Sequence, residues 1–169
     1  MMNPMANRGA ALVQCWDLGG QDEYYMAHSL FIPFTSIIVL VTNLEQVMQV
    51  DTREAEIKEL CRWMQLAYAL CSDPGNMKVI VVGTRRAKCR DMDEVWRTII
   101  DGLSKYLGGI VYDKWVRLDN TGKSVIEFVG IENSTANEDS KGSGLIELET
   151  VVKQMANDIS LSREEIPVR

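Results

Sequence analysis

The chain has 169 residues, 46% of them hydrophobic and 25% charged, and a formal net charge of −6. That length suits one domain and that composition an ordinary globular one. The negative balance, with no basic patch interleaved with aromatics, excludes broad nucleic-acid binding. No apolar run approaches the roughly 20 residues of a spanning helix, so no membrane span is expected. Residues 1–9 lack the apolar core of a signal peptide and are read as a disordered start, which predicts a cytoplasmic protein. Cys15, Cys61, Cys71 and Cys89 have no metal-ligand spacing, and the chain has one histidine. Reduced, mostly buried thiols are expected.

Apolar strands alternate with amphipathic helices along the chain, the pattern of an α/β fold with a mostly parallel sheet. A first strand is predicted at 10–16. The continuous β-branched run Ile37-Ile38-Val39-Leu40-Val41 predicts a second, buried on both faces. Asp51 and Glu54 read as a capping box for a helix whose apolar stripe is Ile57, Leu60, Cys61, Met64 and Tyr68. Val79-Ile80-Val81-Val82 is a third strand. Asp91 with Glu94 caps a helix with the stripe Trp96, Ile99, Ile100, Leu103 and Leu107, and Gly108-Gly109 stops it. Residues 110–124 carry no clear period, although Asp119-Asn120-Thr121-Gly122 suits a hairpin turn after an edge strand. A fourth strand is predicted at 125–131, then a polar loop from Asn133 to Gly144. A last helix presents Leu145, Leu148, Val152, Met155 and Ile159. These stripes are expected to be core faces.

The most informative tract is Cys15-Trp16-Asp17-Leu18-Gly19-Gly20-Gln21-Asp22-Glu23-Tyr24-Tyr25. Asp17-x-x-Gly20-Gln21 is the D-x-x-G-Q pattern of the second switch in Ras-like GTPases. It follows an apolar strand and precedes Tyr24, Tyr25 and His28. With the apolar run at 37–41, the tract closely resembles the Roc domain, the Ras-like domain of Roco proteins, which include the leucine-rich-repeat kinases. The resemblance covers roughly 11–157 and implies a three-layer Ras-like fold over 10–160. Residues 161–169 would form a linker toward a COR-like domain. It implies GTP or GDP and Mg²⁺ as ligands, with protein partners or dimerisation through Roc–COR. In such a site Asp17 reaches the magnesium ion, Gly20 offers its amide to the terminal phosphate, and Gln21 orients the attacking water.

Other family parts are altered or missing. None of the 169 residues forms G-x-x-x-x-G-K-[S/T], the phosphate cradle. Gly122-Lys123-Ser124 fails because Arg117 stands where the first glycine belongs, and because a strand follows where a helix N-terminus must face the phosphates. The sequence is therefore expected to be the C-terminal two-thirds of a Roc domain, without the first strand, P-loop, first helix and first switch. After the third strand, where Roc domains often show Gly-Thr-His-x-Asp, the chain has Gly83-Thr84-Arg85-Arg86-Ala87. Ala87 replaces the aspartate that selects guanine. Losing that bidentate contact costs several kcal/mol or so of discrimination. Thr84 and the tract Asn133-Ser134-Thr135 would lie on the guanine side. Arg85, Arg86, Lys88 and Arg90 are expected as a solvated basic loop. Two functions are consistent with these residues. One is a GTP-binding Roc-type signalling module in incomplete form. The other is a degenerate, non-catalytic pseudo-GTPase that serves as an interaction scaffold.

Overall fold

The β-branched runs of the sequence become the strands of a parallel sheet. The computed structural model describes residues 17, 30, 32, 37–73, 77–116, 126–132 and 143–164. Among them β1 (Ile37–Asn43), β2 (Lys78–Thr84) and β3 (Ile126–Gly130) form a sheet in the order β1-β2-β3. Both pairings are parallel, with Leu40 opposite Val81 and Val81 opposite Phe128. β2 lies between the others and is buried along its interior, which is what its unbroken Val-Ile-Val-Val run demands. The strand expected at 10–16 lies outside the described residues.

The sheet has helices on both faces. On one, Leu40, Val79, Val81 and Ile126 pack with Ile57, Leu60 and Met64 of α2 (Val50–Leu70) and with Val95, Ile99 and Leu103 of α3 (Met92–Tyr106). On the other, Ile80, Val82 and Val129 pack with Met155 of α4 (Ser143–Glu164). The result is a mixed α/β arrangement compatible with a Ras-like layout. Many open α/β folds share it, so the sheet alone does not single out a P-loop GTPase.

The helix boundaries differ from expectation in three places. First, a short helix, α1 (Leu44–Met48), follows β1 directly, capped by the Asn43 side chain, which accepts from the Glu45 N–H at 3.1 Å. The chain bends at Gln49, and α2 starts at Val50 without a side-chain cap. Asp51 and Glu54 therefore form no capping box. Asp51 lies inside the first turn, where its charge complements the helix dipole. Glu54 instead meets Lys58 at 2.7 Å, and that hydrogen bond and charge lower its carboxyl pKa. The bend is held by Arg53 and Thr52, which donate to the carbonyls of Val47, Met48 and Gln46 at the end of α1.

Second, α3 ends just ahead of Gly108-Gly109, as expected, but the chain becomes helical again from Gly109. α3 stops at Tyr106, and a turn at Gly109–Val111 leads into a π-helical stretch, Tyr112–Val116. That stretch gives residues 110–116 their structure and sets Trp115 in the core, edge-on to Tyr68 with ring centroids 5.4 Å apart. The turn expected at Asp119–Gly122 lies outside the described residues. Third, Leu145 does not face the sheet and is 48% exposed. Gly144 takes its place, since a Cβ there would lie 2.5 Å from the Gly130 carbonyl oxygen. The packed face runs from Gly144 through Leu148 and Val152 to Met155. Asp91 caps α3 as expected, accepting from the N–H groups of Asp93 and Glu94 at 2.9 and 3.2 Å.

Candidate functional site

Open parallel sheets bind ligands beyond the carboxyl ends of their strands, where the connecting loops converge. Here that end is built from Asn43, the segment Thr84–Arg90 and the residues after β3. Backbone hydrogen bonds join the last two. Ile131 N–H donates to the Gly83 carbonyl at 2.8 Å, and Arg86 N–H donates to the Ile131 carbonyl at 3.1 Å. The loop at 83–87 and the start of the loop at 131–135, which the resemblance assigns to one site, are thus adjacent.

Side chains cross-link the same end. Thr84 donates its hydroxyl to the Thr42 carbonyl at 3.2 Å and so ties β2 to β1. Arg85 is held in the left-handed region, φ 61°, and its guanidinium meets Glu45 at 3.1 Å. Arg86 donates to the Gly130 carbonyl at 3.3 Å and reaches Glu147 of α4 at 3.7 Å. Arg85 and Arg86 make these contacts at the surface, with side chains 53% and 39% exposed, so the basic loop is solvated, as expected, and held by ion pairs the sequence did not signal. Lys88 and Arg90 are exposed, as expected. They line a hollow of about 250 Å³ together with Met48, Cys89, Asp91, Glu94 and Val95. Burial, and secondarily the charge of Glu45, raise the Cys89 thiol above its ordinary pKa. That works against a thiolate nucleophile in the hollow.

Ala87 is exposed, and its N–H donates to a carboxylate oxygen of Glu132 at 2.9 Å. Recognition of guanine at this place needs a carboxylate that accepts from both base N–H groups. Residue 87 offers none, and the neighbouring carboxylate already holds the loop's own backbone.

Two of the expected site residues fall among the described ones. Asp17 is exposed, and Thr84 stands at the end of β2. Gly20, Gln21, Asn133, Ser134 and Thr135 lie outside the described residues. Among the described residues, no group of three or more His, Cys, Asp or Glu is arranged to hold a metal ion. None of the described helices is long and apolar enough to cross a membrane. Sequence reasoning assigned no role to Glu45, Glu132 or Glu147. Their partners lie 40 or more residues away in the chain, so no local spacing signals them. Neither a scan of protein-family models nor a search of curated proteins finds a match to this chain.

Proposed function

We propose that the chain is a Roc-type, Ras-like signalling module of a Roco protein. In a protein that supplies a phosphate cradle it would bind guanine nucleotide. As the 169 residues stand, it is a non-catalytic interaction domain. The observation that carries this reading is the junction of the 83–87 loop with Ile131 at the carboxyl end of a parallel sheet. It sets the Gly83-Thr84 loop beside Ile131, which precedes the Asn133-Ser134-Thr135 tract by two residues in the sequence. The order of motifs along the sequence supports it as well, with Asp17-x-x-Gly20-Gln21 ahead of Gly83-Thr84 and Asn133-Ser134-Thr135. Ala87 and the Glu132 contact favour the non-catalytic form for this chain.

Calorimetric titration of the 169-residue chain with GTP and Mg²⁺ tests the second half of the proposal. The expected dissociation constant is weaker than about 100 μM, and micromolar binding would overturn the non-catalytic reading. A fusion that places a P-loop-bearing strand and helix ahead of Met1 tests the first half. It should bind nucleotide with poor base selectivity. Ala87→Asp in that fusion should raise the preference for GTP over ATP by about tenfold, or about 1.4 kcal/mol. A fusion that folds and binds no nucleotide removes the Roc reading.

A further inference from the structure

We draw no further inference here: the strongest candidate, the hollow of about 250 Å³ at the start of α3, sets Lys88 and Arg90 beside Asp91 and Glu94 and so has no net charge to select a ligand, and nothing in the structure shows what fills it.

Discussion

Replacing Gly102 by alanine sets two known effects against each other at the contact between α2 and α3. Alanine in a helix interior is favoured over glycine by about 1 kcal/mol. A Cβ at residue 102, however, would lie 2.5 Å from Cδ1 and 2.7 Å from Cγ2 of Ile57. Optimal carbon contacts are about 3.5–4.0 Å, so the helices must part by about 1 Å or Ile57 must move. Ile57 is only 3% exposed, and its branched Cβ is nearly fixed in χ1 within a helix. Overpacking of this kind costs about 1–3 kcal/mol. The expected net effect of Gly102→Ala is therefore destabilisation by about 1 kcal/mol, a fall in Tm of roughly 2–4 °C. Urea unfolding followed by tryptophan fluorescence measures it. The decisive comparison is made in Ile57→Ala, which alone should lose about 2–5 kcal/mol. With the clash gone, Gly102→Ala should reverse sign and stabilise by about 1 kcal/mol, a coupling of about 2 kcal/mol between the sites. If Gly102→Ala stabilises both backgrounds equally, the two helices do not meet at these residues, and the reasoning is wrong.

Burial pushes the Cys61 thiol up to about 11. The fold thus favours the neutral thiol, and its contribution is fully present below the ordinary value of 9.0 and is lost as pH rises toward about 11. Cys61→Ala should flatten the pH dependence of unfolding free energy across that window by something on the order of 2–3 kcal/mol, measured by urea titration at each pH. Asp91→Ala removes acceptors for the N–H groups of Asp93 and Glu94 and should lower stability by about 1 kcal/mol in the same assay. At Arg85, φ 61° admits glycine freely and a β-branched residue poorly. Arg85→Gly should stay within about 0.5 kcal/mol of the wild type, because the exposed pair with Glu45 contributes little, whereas Arg85→Val should lose about 1–3 kcal/mol. Equal melting of the two variants would contradict the left-handed conformation.

The strands and long helices were legible because their signals are local. β-branched runs marked β1 and β2 to within two residues, and the Asp91 cap fixed the start of α3. The signals that failed were those decided by neighbours in space. Asp51 and Glu54 fit a capping box, but α1 occupies the preceding turn and moves the start of α2 forward. Leu145 fits an apolar stripe, but the close crossing of α4 over Gly130 demands a residue without a side chain, and Gly144 takes that position. The region 110–116 had no readable period because a π-helical stretch follows neither the helical nor the strand repeat. Thr84, expected just after the third predicted strand, stands at the end of β2. The ion pairs of Arg85 and Arg86 were not legible, because Glu45 and Glu147 become their neighbours only once the sheet has formed.

The sandwiched position of β2 has a consequence for how the sheet exchanges its amide hydrogens with water. Every β2 amide points toward a neighbouring strand and is sealed beneath side chains on both faces. Such protons are released only when the whole domain opens, so their exchange rates report the global unfolding free energy. In β1 successive amides alternate between β2 and the far edge, on which no strand lies among the described residues. Deuterium uptake along β1 should therefore alternate with a period of two residues, slow beside fast, while uptake along β2 is uniformly slow.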